Sequence, residues 1–242
     1  MPFTFSHPAV VLPLGRLAKG LSLTGLVIGS MVPDFEYLIR MRMLSRYSHT
    51  WQGFIWFDIP LAYILVILYE IFVKDKLITH LPAGINRRFF SLRGFITYYT
   101  LKYFLAILIS VAIGAATHIL WDGFTHPGGM FVKRFAYLSR IVKVHGYRFY
   151  IYTLLQHAST AAGALIILIS YYMLPRGKLT RATSIAGYWL QIILVMVVVV
   201  AIKLATGMPL HQYGTLIVTV VSGGVIGLIV ATMLAERVQP MV

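Results

Sequence analysis

Seven side chains able to hold a metal ion or move a proton recur along the chain: His7, Asp34, His49, His118, Asp122, His126 and His157. Only seven Asp and Glu occur in 242 residues, so two of them keeping company with five histidines is not the background of an ordinary acidic surface. His118 and Asp122 stand four apart in an apolar stretch, and a helix carries such a pair on one face about one turn apart. His126 follows four residues later, before Pro127, Gly128 and Gly129, which end a helix and let the chain turn. Imidazole nitrogen with carboxylate oxygen suits zinc, manganese or iron better than calcium, which prefers oxygen alone. No cysteine is present, which excludes thiolate ligands, disulfides and a cysteine nucleophile. Asp34, Glu36 and Asp122 are the candidate catalytic carboxylates, with Glu36 favoured in a supporting place behind the ligands.

The elements that must position these groups are membrane helices. Hydrophobic residues make up 59% of the chain, charged residues 12%, and the mean hydropathy is +0.80, outside the range of soluble domains. About 20 apolar residues cross a hydrocarbon core, and five segments qualify: roughly 51 to 73, 99 to 121, 151 to 174, 185 to 206 and 215 to 234. Backbone groups in lipid must be satisfied internally, so each is a helix. Residues 8 to 33 are apolar but broken by Pro8, Pro13, Arg16, Lys19, Gly20 and Gly25, which predicts two short helices in a partly inserted hairpin. The expected fold is an all-α, polytopic helical bundle of about five spans plus this broken hairpin, in one domain over 1–242. Met1 is expected to be retained, since MPFTFSH lacks a basic region and a cleavage site.

Threading the spans through a membrane places His49, His118, Asp122, His126 and His157 on one face, and the N-terminal hairpin can bring His7 and Asp34 to it. The basic segments 74–98 and 123–150 suit the lipid interface. The net charge of +14 is divided among juxtamembrane clusters, which favours anionic headgroups over nucleic acid as partner. Arg176, Lys178 and Arg181 in one short loop, against none in TGMPLHQYG, put the opposite face, with the metal ligands, outside the cytoplasm. Asp58 and Lys203 fall at similar depth and could form a buried pair. His80, His145 and His211 have no partner visible in sequence.

MPFTFSHPAVVLPL, VIGSMVPDFEY, SHTWQG, HILWDGFTHPGG and LLQHAST together resemble an uncharacterised bacterial membrane family, domain of unknown function 4184. More distantly the chain is similar to membrane-bound metal-dependent hydrolases, and behind them to zinc-dependent phospholipase C and single-strand nucleases, which are all-helical with three zinc ions. Their ligand order matches His7, Asp34, His49, His118, Asp122 and His126, with His157 opening a last pair. Ala161 then stands where a closing carboxylate belongs, and an uncleaved Met1 cannot supply an N-terminal tryptophan amine, so the resemblance implies one or two ions. It implies that Asp34, His49, His118 and Asp122 hold the first, with Asp122 bridging toward a second near His7, while His126 and His157 would make a weaker site. The activity implied is hydrolysis of a phosphoester in a lipid or lipid-linked substrate at one face of a bacterial inner membrane. The alternatives are a transporter or channel, for which Asp58, Lys203 and His157 would mark a polar path, and a non-catalytic protein with a structural metal.

Overall fold

The computed structural model describes residues 3–18, 20–93, 100–179 and 184–235; expectations for Met1, Lys19, Arg181 and residues 94–99 fall outside them. Two short helices open the chain, as expected, but the first runs through Pro13 and the second contains Gly25, so the break falls around Gly20. Helix α1 (Pro8–Leu17) starts with proline at its first position, where no N–H is needed. In α2 (Leu23–Gly29), the Ser22 hydroxyl caps the first turn by accepting from Gly25 N–H at 3.0 Å. Helix α3 (Phe35–Arg40) follows a short turn at Val32–Asp34.

Five helices are long and apolar enough to cross a membrane: Trp51–Thr79, Leu101–Arg134, Ile151–Tyr172, Ile185–Ala205 and Tyr213–Leu234. By length and composition this is a membrane protein. Helix α4 (Trp51–Thr79) runs past the expected end near 73, through wider π turns at Phe54–Asp58 and Tyr69–Val73. After α5 (Ala83–Phe89), α6 (Leu101–Thr125) ends where Pro127 and two glycines turn the chain into the short α7 (Met130–Arg134). The remaining spans are α8 (Ile151–Tyr172), α9 (Ile185–Ala205) and α10 (Tyr213–Leu234).

The all-helical expectation is corrected in one place. Strands β1 (Ile141–Val144) and β2 (Tyr147–Tyr150) pair antiparallel, with Val142 opposite Phe149 and Val144 opposite Tyr147. The local cause is β-branched and aromatic residues flanking a two-residue turn, His145-Gly146. Both turn residues have positive φ, 49° and 86°.

The described residues gather into two compact units. One comprises those of 1–34, 47–66 and 98–171, the other those of 35–46, 67–97 and 172–242. Asp58 is fully buried in the first, and Lys203 belongs to the second. In the first unit α2 packs on α6, with Leu26, Val32, Ile107, Val111 and Ala115 buried. In the second, α9 packs on α10 through Gly223 and Gly227, four apart on one face. A Cβ on Gly223 would lie 3.0 Å from the Met196 Cα, and one on Gly227 2.7 Å from the Ile192 carbonyl oxygen, so only glycine admits this backbone approach. Lys76 ties down the end of α10 by donating to the carbonyls of Thr232 and Ala235.

Candidate metal centre

Helix α6 buries one continuous face. Ser110, Val111, Gly114 and Ala115 come first, then His118 one turn beyond Gly114 and Asp122 two turns beyond. The small residues bring α2 against the helix backbone. A Cβ on Gly114 would meet the Leu26 carbonyl oxygen at 2.5 Å and the Ser30 nitrogen at 2.6 Å, and one on Gly29 would meet the Val111 carbonyl oxygen at 2.5 Å. This approach brings the Ser30 carbonyl to His118, whose Nδ1–H donates to it at 2.7 Å. The ring is thereby fixed in the tautomer that leaves the Nε2 lone pair facing inward, the arrangement that metal-binding histidines share.

The other groups are held from behind in the same way. Thr4 donates to Asp34 Oδ2 at 2.6 Å, leaving Oδ1 for the interior. The Ser48 hydroxyl meets His49 Nδ1 at 3.1 Å, so that Nε2 is the atom toward the cluster. His118 Nε2 then lies 3.6 Å from Asp34 Oδ1 and 3.4 Å from Asp122 Oδ2; His49 Nε2 lies 3.7 and 3.6 Å from the same two oxygens. These four ligand atoms all fall within 4.8 Å of one another. His7 stacks on His118, ring centres 3.7 Å apart, and points its Nε2 at the other Asp122 oxygen, Oδ1, at 3.5 Å. His126 closes the end of α6, its Nδ1 3.1 Å from the Asp122 carbonyl and 3.6 Å from Oδ2.

These separations test whether an ion fits. They are too long for hydrogen bonds, and the Nε2 atoms of His7 and His118, Oδ1 of Asp34 and both carboxylate oxygens of Asp122 are buried with no hydrogen-bond partner among the described residues. Leaving so many polar atoms unsatisfied in the interior is costly. Atoms that share one ion at about 2.0–2.2 Å in tetrahedral geometry lie about 3.3–3.6 Å apart. The four nitrogen-to-oxygen spacings, 3.4 to 3.7 Å, lie close to that figure, so Asp34, His49, His118 and Asp122 could hold a metal ion. At His7 and Asp34 the protonation states suit ligation. Burial, with His118 beside it, pushes the His7 imidazole down to about 3, so its nitrogen lone pair is free at neutral pH. Burial alone would raise the Asp34 carboxyl, but the adjoining His118 and the Thr4 hydroxyl outweigh it and keep it below the usual carboxylate range.

The model of a family described as domain of unknown function (DUF4184) matches residues 1–233. The chain belongs to this family. No curated protein and no solved structure matches it. For this family member the separate motifs converge: HPAV brings His7, SMVPD brings Ser30 and Asp34, SHTW brings Ser48 and His49, and HILWDGFTH brings His118, Asp122 and His126 to one place.

Two expected residues lie elsewhere. His157 is exposed on α8, and among the described residues no ion pair or ring contact links it to the cluster. The face of α8 that packs on the N-terminus carries Thr160, which accepts from Phe3 N–H, and Gly163, which abuts Ser6. His157 is about 60° round from Thr160 and about 120° from Gly163. Glu36 is buried, but its carboxylate accepts from Arg40 Nε at 2.8 Å, Ser45 Oγ at 3.2 Å and Arg46 N–H at 3.0 Å, which ties up its own loop. Of the histidines without a visible partner, His80 is buried: its Nδ1 meets the Lys76 carbonyl, and its ring stacks on Tyr188. Sequence reasoning passed over Thr4, Ser30 and Ser48. A hydroxyl beside a ligand position, as in YSHT, is the signal that could have found Ser48; Thr4 stands thirty residues from the Asp34 it supports and the Ser30 contribution is a backbone carbonyl, so neither carries one.

Proposed function

We propose that the protein is a membrane-embedded, metal-dependent hydrolase that cleaves a phosphoester of a lipid or lipid-linked substrate at one membrane face. The observation that carries the reading is the set of converging, buried and otherwise unsatisfied donor atoms of His7, Asp34, His118 and Asp122, with His49 beside them. Two imidazoles and two carboxylates suit zinc, with manganese or iron as substitutes. Asp122 presents Oδ2 to His49, His118 and His126 and Oδ1 to His7, a disposition suited to one ion or to two sharing that carboxylate. Such an ion supplies Lewis acidity, making water a usable nucleophile near neutral pH and polarising a phosphoryl oxygen.

The chain's own groups would do the rest. The side chains of His49 and His126 are 25% and 27% exposed while His118 is wholly buried, so the cluster has one accessible edge. That edge favours catalysis over a structural metal, which would have a closed shell. Water adds to phosphorus there, the P–O ester bond breaks, and a proton passes from the water to a carboxylate oxygen of Asp34 or Asp122 and on to the departing oxygen. Thr4, Ser30 and Ser48 hold Asp34, His118 and His49 still meanwhile. We place the centre at the extracytoplasmic face of a bacterial inner membrane, on the asymmetry of the short loops.

Purified full-length protein should carry zinc or another transition metal, and His118→Ala or Asp122→Ala should remove it. Phospholipid or polyprenyl phosphate should be cleaved in a chelator-sensitive way. A metal-free, fully stable wild type, or turnover indifferent to EDTA, would overturn the proposal.

A further inference from the structure

The β-hairpin presents two cations where two cations should repel. Lys143 and Arg148 are directly paired across the strands, a position that puts their Cβ atoms about 4.5–5.5 Å apart and makes like charges destabilising. Both are exposed, and among the described residues neither forms an ion pair. Residues 130–150 contain five Lys and Arg and no Asp or Glu, so the surrounding sequence offers no acidic relief. Strand alternation puts Ile141 and Tyr150, two positions along the register, on the same face as these cations. Both are exposed, at 52% and 43%.

The hairpin's place in the chain says what meets this face. It lies between two candidate membrane spans, Leu101–Arg134 and Ile151–Tyr172, and is fastened to the second, where Ile151 N–H donates to the Arg140 carbonyl at 3.0 Å. A segment fixed directly to the end of a membrane helix must lie at the bilayer surface. The exposed Tyr150 and Ile141 suit the level of the headgroups, and paired cations complement anionic ones. A hydrophobic protein partner would have no use for the cation pair, and a soluble anion none for the apolar residues beside it.

We infer that the β1–β2 hairpin is a binding site for the phosphate of an anionic lipid headgroup, held between Lys143 and Arg148 with Ile141 and Tyr150 set into the interface. The site does not depend on the hydrolase reading, since lipid binding and turnover are measured separately. In full-length protein kept in neutral detergent, native mass spectrometry should show phosphatidylglycerol binding in preference to phosphatidylcholine. Each juxtamembrane cation contributes about 5-fold, so Lys143→Gln with Arg148→Gln should weaken phosphatidylglycerol by about 30-fold and leave phosphatidylcholine unchanged. Arg176→Gln with Lys178→Gln, which alters exposed cations outside the hairpin, should keep the preference. Lys143→Glu separates binding from folding, because it creates an opposite-charge pair that stabilises the hairpin yet should abolish the lipid preference. Equal binding of the two lipids by wild type, an unchanged preference in the Gln double variant or in Lys143→Glu, or displacement by inorganic phosphate at equimolar concentration would each overturn the inference.

Discussion

Gly114→Ala should disable the metal centre without touching a ligand. Its Cβ would sit 2.5 Å from the Leu26 carbonyl oxygen and 2.6 Å from the Ser30 nitrogen. Restoring an ordinary contact of 3.4 Å requires α2 and α6 to part by about 0.9 Å, and both obstructing atoms are backbone, so no side chain can swing aside. The same displacement stretches the Ser30 carbonyl to His118 hydrogen bond from 2.7 Å to about 3.6 Å, beyond hydrogen-bonding distance. His118 then loses the partner that fixes its tautomer. Losing such an outer partner typically lowers metal affinity 10–100-fold, and we expect that range here, with a stability loss of about 1–3 kcal/mol from overpacking. The assay is competition for zinc against a chromophoric chelator, using full-length protein in detergent. Gly224→Ala is the control, because Gly224 also lies within a helix and its Cβ would meet nothing within 4 Å. If Gly114→Ala binds zinc as wild type does while remaining monodisperse, the outer bond does not tune the site and the reasoning fails.

Glu36→Ala should cost about 2–3 kcal/mol, because it strips charge-assisted bonds from Arg40 and the Arg46 backbone, yet leave metal content unchanged; loss of metal would restore the supporting place behind the ligands that the sequence suggested for Glu36. His7 is neutral in the fold down to about pH 3 but protonates near 6.5 once unfolded, so the unfolded chain binds the extra proton in that window. With chelator present, stability should therefore be full above pH 6.5 and decline as pH falls toward 3, by at most about 1.4 kcal/mol per pH unit for this group. His7→Gln should flatten part of the slope in thermal melts, and an identical slope in the variant would refute the assignment. Gly227→Val should loosen the α9–α10 pair, where the Ile192 carbonyl leaves no room, at about 1–3 kcal/mol; a melting temperature equal to wild type would refute it.

Much of this architecture was legible in composition and periodicity. Runs of apolar residues cannot leave backbone groups bare in lipid, so length alone marks the spans, and Gly20 marks the break in the N-terminal pair, while Pro13 sits inside its first helix. Helical spacing also announced the shared face of His118 and Asp122, since i and i+4 coincide on any helix. The hairpin at 141–150 was missed because a basic, aromatic stretch beside a membrane reads as an interfacial segment, although His145-Gly146 between β-formers was the available sign.

Residue types alone determined that any metal must be held by nitrogen and oxygen, and local spacing made α6 its platform. Only the tertiary structure decided which distant groups meet it. His7, Asp34 and His49 are gathered by the glycine contact of α2 on α6 and by hydroxyl groups behind the ligands, interactions that join positions as far apart as Ser30 and His118. Such contacts depend on sub-ångström backbone approach, which leaves no periodic trace in a sequence. The same packing turned His157 away, because the rotation of α8 follows where Thr160 and Gly163 find their partners, not the chemistry that an imidazole could perform.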